Sequence, residues 1–425
     1  MNGIYLRKAI GVLVIFVAGV VFSAAANAQA VRPCAPSICV TEGSGGSCTP
    51  QPADASCSVL GNAPALEGYG TSSTFGGGPN SETCVVSNLN DSGAGSFRTC
   101  IEDRNGTVTN PVPRTVEFSV GGTITLIADL RIRQPYLTID GLSAPSPGIT
   151  IAKAGDGTDG ESEIQTWPEE STCGHDVLLQ GLRFRGVWTR NTTAHSQNAD
   201  NIMVDGEDFT GCLKNIVIWR NTFIDGQDAV GSFWGSVTDV TFGYNLVVYN
   251  FHPQVISHAP GGESGQERER FSLHHNIYAY AYERIPNIRG NAWDINLDQN
   301  IFHKWSSFNL GNGYATKFRC RGSGCPMRIN LIENHWTSGG SRLGNAIDYE
   351  DGASPAQVYI RGNILPSAES DGGSASGEFA RSDSITLFSD QDFVNSMFPF
   401  VGHQYPTAEE SAVKQEVAQQ VLSEL

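Results

Sequence analysis

Two arginines five positions apart are the first residues in this chain whose types and spacing suggest chemistry. Arg284 and Arg289 flank Pro286 in the segment ERERFSLHHNIYAYAYERIPNIRGN, residues 267–291. The alternating apolar residues before them predict a strand with one buried face, and we expect the proline, which lacks an N–H for a sheet ladder, to end it. Two guanidinium groups just past a strand end suit carboxylate ligands. Taken alone, such a pair is also commonly solvated or salt-bridged.

A repeated pattern supplies the elements that would position these arginines. Segments of the form apolar-x-apolar-x-x-Asn-x-apolar recur beyond residue 176, with their asparagines 24, 31, 24, 34 and 29 residues apart. One short strand per repeat favours a right-handed parallel β-helix, and a propeller is the alternative. Asn can adopt the left-handed conformation at each corner and hydrogen-bond to the same amide one coil along. The repeated residues are Asn221, Asn245, Asn276, Asn300, Asn334 and Asn363.

Composition supports an all-β class and limits the partners. The 425 residues include 48 glycines, and long helical blocks rich in Leu, Ala, Glu and Lys are missing before the C-terminus, which is typical of a turn-rich β protein. The net charge of −17 excludes nucleic acid as a partner, because phosphates require a basic footprint. A polyanionic substrate would need a local basic patch, a bridging cation, or both.

The N-terminus predicts export. Arg7 and Lys8 precede the apolar run Ala9–Ala25, and Ala26-Asn27-Ala28 offers a small-residue cleavage site, so residues 1–28 are expected to be a signal peptide. No later segment has the roughly 20 apolar residues of a spanning helix. We therefore expect a secreted protein, extracellular or periplasmic, that is monomeric and has no membrane segment in its mature form.

Cysteine placement and the C-terminal pattern complete the expected organisation. Ten cysteines in an exported chain predict disulfides, with Cys84–Cys100 and Cys320–Cys325 as local pairs and Cys173–Cys212 as a looser one. Residues 29–66 are expected to be a Cys-rich arm, 67–366 the β-helix with a short N-terminal capping helix, and 367–425 loops followed by a helix. That helix begins with a capping box, Thr407 and Glu410, and would cover an open end or pack on the flank.

Several of these segments together resemble the pectate lyase superfamily. NLNDSGAGSFR, followed by VEFSVGGTITL and LTIDGLSAPSPGITI, resembles its N-terminal coils, and ERIPNIRG looks like its R-x-P-x-x-R segment. The resemblance runs from about Glu67 to Leu365. It implies a lyase that cleaves α-1,4-linked galacturonan, an acidic plant cell-wall polysaccharide, by β-elimination. Arg284 would take the place of the base that removes the C5 proton, and Arg289 that of the substrate-binding arginine.

The resemblance also implies a Ca²⁺ site. Asp200 and Asp228 match the family's metal-binding carboxylates, whereas Asn198 and Ser232 stand where many members have further aspartates. Calcium requires clustered oxygen ligands, so this reduced acidic set predicts weak or substrate-assisted binding. Calcium on the substrate carboxylate would acidify the C5 proton. The simpler interpretation is that these aspartates are turn residues that accept backbone N–H bonds.

One departure from the family concerns the substrate contact. Where members often have a lysine that binds a substrate carboxylate, this chain has His252 and Gln254. We expect His252 to take the substrate-binding role; because an ordinary histidine is mostly neutral at alkaline pH, that contact favours a methyl-esterified, pectin-like substrate. An arginine base predicts an alkaline pH optimum, since arginine is otherwise always protonated.

Two other functions remain open at this point. A β-helix glycoside hydrolase would need two carboxylates roughly 5–9.5 Å apart, and Asp225 with Asp228 are the nearest in sequence. A non-catalytic β-helix that binds carbohydrate or serves in adhesion would account for the absent lysine and the reduced acidic set. The arginine pair is unexplained by the hydrolase and favours the lyase.

Overall fold

Three parallel sheets form the body of the protein in the computed structural model. The structure describes residues 63–103, 106–107, 110–155, 164–166, 174–190, 199–206, 212–257, 268–290, 292–306, 313–319, 327–337, 345–349, 356–366 and 372–425. Within the described part of the chain, eight coils each contribute one strand to sheet 1, then one to sheet 2, then one to sheet 3, and one further strand extends sheet 1 at each end. Each strand pairs in parallel with its counterparts in the adjacent coils. The predicted right-handed parallel β-helix is therefore confirmed, and the propeller alternative is wrong.

The strands of each sheet are stacked in chain order. In the described residues sheet 1 contains Glu82–Val86, Arg114–Phe118, Leu137–Asp140, Val177–Gln180, Leu213–Trp219, Val237–Gly243, Arg268–His274, Ala292–Asp298, Met327–Ile332 and Ala356–Arg361. Sheet 2 contains Gly122–Leu126, Ile149–Lys153, Arg183–Arg185, Thr222–Ile224, Leu246–Val248, Ile277–Ala279, Ile301–His303 and His335–Trp336. Sheet 3 contains Leu130–Ile132, Ile164–Thr166, Ile202–Gly206, Gly231–Gly235, Gln254–Ser257, Asn287–Arg289, Thr316–Arg319 and Ile347–Tyr349. A short antiparallel pair joins Gly106–Thr107 to Asn110–Pro111.

Apolar side chains at equivalent positions fill the interior of the coils. Along sheet 2 the inward position is aromatic in many coils, and the rings stack on one another: Tyr278 and Phe302 have centroids 5.4 Å apart, and Phe302 and Trp336 4.7 Å apart. Phe184 and Phe223 stack in the same way at 5.0 Å. Such stacking adds to the burial of apolar area, which is the main force holding the coils together.

A ladder of buried asparagines marks the corner between sheets 1 and 2. The Oδ1 atom of Asn276 accepts hydrogen bonds from the backbone N–H and from Nδ2 of Asn245, at 2.9 and 3.1 Å. Asn276 in turn donates both groups to Oδ1 of Asn300, at 3.1 and 2.9 Å. The same pattern joins Asn221 to Asn245, Asn300 to Asn334, and Asn334 to Asn363. The predicted amide-to-amide bonding is confirmed.

The left-handed conformation at this corner belongs to a different residue than predicted. Asn was expected to adopt it, but the positive φ falls on the preceding residue, with φ of 55° at Tyr244 and His275 and 48° at Gln299. This arrangement leaves each Asn side chain pointing inward to its neighbour. The preceding side chain points away from the interior, so its type varies from coil to coil.

Three helices pack outside the coils in the described residues. Helix α1, Phe97–Glu102, begins at the N-cap Ser96 and is tied to the first strand by the Cys84–Cys100 disulfide. The predicted capping segment and this disulfide are confirmed. Cys212 is also disulfide-bonded, but its expected partner Cys173 lies outside the described residues, as do the pair Cys320–Cys325, the signal peptide and most of the arm.

Helices α2 and α3 cover the flank of the β-helix along sheet 2. Helix α3, Ala408–Glu424, starts with the predicted capping box between Thr407 and Glu410. Its apolar face packs with the outward side chains of sheet 2, so it lies on the flank. Helix α2, Asp390–Met397, occupies a stretch predicted as loops; that prediction is wrong, because Phe393, Val394 and Met397 form an apolar face too short to identify in sequence. Among the described helices none could cross a membrane.

Acidic residues along α3 bind basic residues from separate coils. Glu410 is fully buried and makes a bidentate pair with Arg183, at 2.6 and 3.0 Å. Glu416 pairs with Lys304 of a later coil. Near the end of the helix, Glu424 Oε2 lies 2.6 Å from Nε2 of His335. The helix is therefore anchored to the solenoid along its length.

The asparagine ladder yields a stability prediction. Replacing Asn276 with Ala removes hydrogen bonds to both neighbouring coils and leaves buried partners unsatisfied, so the free energy of unfolding should fall by about 2–4 kcal/mol. Asn363 at the ladder end is half-buried and accepts from Asn334 alone within the ladder. Asn363→Ala is the matched control and should lose about 1 kcal/mol. Equal losses in guanidinium unfolding would contradict a buried ladder.

A buried lysine on α3 yields a pH prediction. Lys414 donates to the carbonyl of Val401 at 2.8 Å, and burial, aided by the charge of Arg220, lowers its pKa from 10.5 to about 7. Between these two values the unfolded chain binds more protons than the folded chain, so the contribution of Lys414 to the free energy of unfolding rises with pH.

The variant Lys414→Met removes this titration. The free energy of unfolding of the variant minus that of the wild type should fall as pH rises from 7 to 10, by at most about 1.4 kcal/mol per pH unit. Denaturant unfolding of both proteins at three pH values measures the difference. A difference that stays constant across the range would refute the lowered pKa.

Candidate functional site

The predicted site residues lie on the turns that lead from sheet 2 into sheet 3. Four successive coils place Asp200, Asp228, His252 and Arg284 there, each a few residues before a sheet 3 strand. Strands in adjacent coils are about 4.8 Å apart. Residues separated by up to 84 positions are thereby stacked along one edge of the solenoid.

Arg284 reaches back across two coils to an acidic side chain. Its Nη1 lies 3.3 Å from Oδ1 of Asp228, and its Nε lies 3.9 Å from Oε1 of Glu283. The backbone at Arg284 has φ of 64°, which is uncommon for a residue with a side chain, and its carbonyl accepts from the N–H of Gln254 at 2.8 Å. The side chain is 22% exposed. The guanidinium is therefore held by its turn while part of it still faces solvent.

Asp200 and Asp228 form an acidic pair beside this arginine. Oδ1 of Asp200 accepts from the N–H of Ala229 at 2.7 Å. Burial, and then the charge of Asp228, raise the pKa of Asp200 well above its ordinary value, although hydrogen bonds from Ala229 and Ser232 and the charge of Arg284 oppose the rise. The charge of Asp200 is therefore poorly compensated, and two close carboxylates fit a hard divalent cation such as Ca²⁺, which prefers oxygen ligands. Asn198 lies outside the described residues.

His252 lies between two carboxylates at the centre of the site. Its Nδ1 is 3.2 Å from Oδ1 of Asp228, and its Nε2 is 3.2 Å from Oε1 of Glu283. The ring also contacts Phe251, with centroids 4.3 Å apart, and the residue is 4% exposed. The contacts of His252 are thus with acidic side chains of the protein, and its predicted contact with substrate stays a prediction.

Glu283 is a site residue that the sequence did not single out. Burial alone would raise its pKa, but the hydrogen bond from His252 and the charges of His252, Arg284 and Lys317 lower the pKa below its usual value. It therefore carries negative charge beside the Arg284 guanidinium. Its position directly before Arg284 is the sequence feature that could have identified it as a site residue.

The strand that carries Arg289 begins where the sequence predicted an end. Pro286 was expected to end the alternating strand, but that strand stops at His274, because the ladder corner follows it. Pro286 instead immediately precedes the sheet 3 strand Asn287–Arg289. Ile288 points inward, so Arg289 lies on the outer face, where its guanidinium carbon is 5.9 Å from the ring centroid of Trp234.

The outer face of sheet 3 carries further cations beside Arg289. Arg319 occupies the equivalent position one coil later, and Lys317 is in register with Asn287. Nζ of Lys317 lies 2.9 Å from Oδ2 of Asp348 and 4.6 Å from the ring centroid of Tyr314. Together with Arg284 these residues gather positive charge along this edge, although Arg289 itself is only 4% exposed.

Tyr314 lies within this group of charges. Its hydroxyl accepts from Nδ2 of Asn287 at 3.3 Å. Burial raises the pKa of Tyr314, as does the charge of Glu283, while the charges of Arg284, Arg289 and Arg319 oppose the rise. The hydroxyl therefore stays protonated in the alkaline range and keeps a donor beside these cations.

Asp225 is directed to a different set of partners from Asp228. Its two oxygens lie 2.5 Å from Nε of Arg190 and 3.1 Å from Nη2 of Arg185. Arg190 also binds Glu409 of α3. Asp225 thus anchors the turn to the flanking helix instead of pairing with Asp228, which was the pair that the hydrolase interpretation used.

Most of the aromatic residues near these turns pack against other protein groups. Trp188 and Phe251 are each 3% exposed and contact one another. Tyr249 lies under the guanidinium of Arg190 at 3.8 Å, and the hydroxyl of Tyr280 donates to Glu416 of α3. Tyr282 is half-buried and stacks on Phe251 with centroids 4.9 Å apart.

Trp234 lies on the outside of the coils. Its neighbour Phe233 occupies the interior with no exposure, so strand alternation directs Trp234 outward. Its Nε1 donates to Oγ of Ser232 at 2.6 Å. The ring is therefore an aromatic surface beside Arg289 on the outer face of sheet 3.

Sequence comparison finds relatives that carry one name. No protein-family model matches the chain. A protein named probable pectate lyase C from Aspergillus flavus is 28% identical over 277 residues, which are 65% of this chain and 54% of that protein. One of the same name from Aspergillus fumigatus is 27% identical over 281 residues, with the same shares. The chain therefore spans about half the length of these relatives, and the predicted resemblance to pectate lyases is confirmed.

Structure comparison finds the same architecture. A pectate lyase from Bacillus sp. N165, solved in complex with trigalacturonate, has a TM-score of 0.53 and 16% sequence identity, and the match covers 80% of this chain and 99% of that one. A polygalacturonate lyase fused with a self-assembling amphipathic peptide has a TM-score of 0.51 and 15% identity, covering 83% and 100%. These similarities confirm the parallel β-helix fold.

Proposed function

We propose that this protein is a secreted polysaccharide lyase that cleaves α-1,4-linked galacturonan by Ca²⁺-assisted β-elimination, with Arg284 as the base. The observation that carries the proposal is the meeting of Arg284 with the acidic pair: its guanidinium lies 3.3 Å from Asp228, whose charge also raises the pKa of Asp200. The relatives named probable pectate lyase C and the cations on the outer face of sheet 3 support it.

The roles of the residues follow from what each can do chemically. Arg284, partly exposed on its turn, takes the proton from C5 of a galacturonate; the electron pair forms the C4=C5 double bond and the C4–O4 bond breaks. The leaving oxygen takes a proton from solvent. Arg289, assisted by Arg319 and Lys317, binds substrate carboxylates as N–H donors. The outward ring of Trp234 offers a face against which a sugar can stack.

The acidic pair is proposed to hold the metal. Calcium bound by Asp200 and Asp228 would draw negative charge from the substrate carboxylate and so make the C5 proton more acidic. His252 and Glu283 lie beside this pair and orient Asp228 and Arg284 through their contacts. We propose that His252 also contacts the substrate when Asp228 is engaged by a cation.

Substituting the proposed base tests the reaction. Arg284→Lys keeps a positive charge but shifts its position and removes the forked N–H donors of the guanidinium. Turnover on polygalacturonate should therefore fall by roughly 10²–10⁴-fold. Unsaturated product ends, which absorb in the near ultraviolet, report elimination and separate it from hydrolysis. Wild-type turnover should rise above neutral pH, because an arginine base must be neutral to accept a proton.

The control for this substitution is Arg185→Lys, a half-exposed arginine that contacts Asp225. Its turnover should stay close to that of the wild type. Polysaccharide binding without unsaturated product in either the wild type or Arg284→Lys would refute the lyase and support a carbohydrate-binding protein. Reducing ends without absorbance would support a hydrolase.

Removing the metal tests the acidic pair. Chelator should abolish turnover and Ca²⁺ should restore it. Asp200→Asn and Asp228→Asn remove a charged oxygen ligand, so half-maximal turnover should require at least about tenfold more Ca²⁺. Asp225→Asn is the matched control, since its carboxylate binds arginines instead, and its Ca²⁺ requirement should not change. Full turnover in chelator, or an equal shift in all three variants, would refute the assignment.

A further inference from the structure

Two histidines and a glutamate lie close together at the corner between sheets 1 and 2. The proposed active site is elsewhere, on the turns from sheet 2 into sheet 3. His274 ends a sheet 1 strand, His275 follows it at the corner, and Glu67 lies in the segment before the short 3₁₀ turn Tyr69–Thr71. Both rings are fully buried. One carboxylate oxygen of Glu67 and one nitrogen of each ring lie within 4.8 Å of one another.

Nε2 of His275 is fixed as a hydrogen-bond donor. Its Nε2 lies 3.1 Å from Oε1 of Gln299. That oxygen also accepts from the N–H of Phe388 at 2.9 Å, while Nε2 of Gln299 donates to the Phe388 carbonyl at 2.7 Å and to Glu333 at 3.0 Å. The Gln299 amide therefore has one orientation, and Nε2 of His275 must carry the hydrogen.

Nε2 of His274 is also a hydrogen-bond donor, because it too faces a carbonyl oxygen. Its Nε2 lies 3.3 Å from the backbone carbonyl of Glu67, which can accept but cannot donate. Each ring thus uses Nε2 to donate to a carbonyl oxygen. In a neutral imidazole the other nitrogen, Nδ1, then carries a lone pair.

These two lone pairs face each other. Nδ1 of His274 and Nδ1 of His275 are 2.8 Å apart. A shared proton or a metal ion between them would satisfy both lone pairs.

We propose that His274, His275 and Glu67 bind a divalent transition-metal ion of the zinc type. Two imidazole nitrogens and a carboxylate oxygen are ligands that Zn²⁺ prefers, and imidazole nitrogen disfavours Ca²⁺. Ligating histidines usually donate their other N–H to a carbonyl or carboxylate, which is the arrangement of both Nε2 atoms here. The Nδ1 atoms need to separate only to about 3.3 Å for Zn–N distances of about 2.0–2.1 Å.

The contacts of Glu67 also suit a ligand. Its two carboxylate oxygens accept from the backbone N–H and the hydroxyl of Thr386, at 2.8 and 2.9 Å, which fixes their orientation. Glu67 is 9% exposed, and a dication beside it would compensate the buried charge. The ion would join the N-terminal segment to sheet 1 and, through Thr386 and Gln299, to the C-terminal segment. Its role is structural, independent of the proposed lyase function.

Metal titration of the full-length secreted protein tests this site. The protein is stripped with chelator and titrated with Zn²⁺ in the presence of excess Ca²⁺, which occupies oxygen sites. We expect one tightly bound Zn²⁺ per chain and a rise in Tm of at least about 2 °C. Co²⁺ in the unsubstituted protein gives a visible absorption spectrum of nitrogen ligation, so this part of the test requires no variant.

Variants locate the ion. His275→Gln and Glu67→Gln should each weaken Zn²⁺ binding by at least tenfold and remove the rise in Tm. His303→Gln is the matched control, because His303 is buried in sheet 2 with Nδ1 bonded to Thr337. Absence of Zn²⁺ and Co²⁺ binding by the unsubstituted protein would overturn the proposal in favour of a shared proton. Equal binding by all three variants would also overturn it and place the ion elsewhere, for example on cysteines.

Discussion

The structure depends on the constraint that every coil must match the one beneath it. The backbone N–H and the side-chain amide of each corner asparagine both bond to the next asparagine, so the ladder fixes how the coils align as well as holding them together. A buried amide without its partner costs free energy, which disfavours a shift in register. Loops of any length can therefore leave one coil and return without moving the next strand from its place.

This alignment is what assembles the proposed site. The acids, the histidine and the arginine come from turns of four coils, and each turn alone would be an ordinary connection between strands. Stacking brings Arg284 and His252 to the same oxygen of Asp228. The price of this convergence is the burial of Asp200 beside a like charge, which a bound cation would relieve.

The sequence was informative where a single residue type has a single physical reason to recur. The asparagine spacing predicted the coils, whereas the cluster of Arg284, Asp200 and Asp228 was predicted only through the resemblance to pectate lyases. The sequence could not predict contacts that depend on how far a side chain extends. Nothing in the order of residues indicates that His252 lies between Asp228 and Glu283. Arg319 and Lys317 were missed for a related reason, because coils of unequal length remove any fixed offset from Arg289.

The last helix has a consequence for how the solenoid comes apart. In a stack of repeats each unit contacts only its neighbours, so the ends tend to fray independently. Here Glu410 binds Arg183 of an early coil, while Glu416 and Glu424 bind Lys304 and His335 of two adjacent later coils. Because this helix links coils that are far apart in the stack, disruption of one coil disturbs others. The solenoid therefore unfolds cooperatively instead of coil by coil.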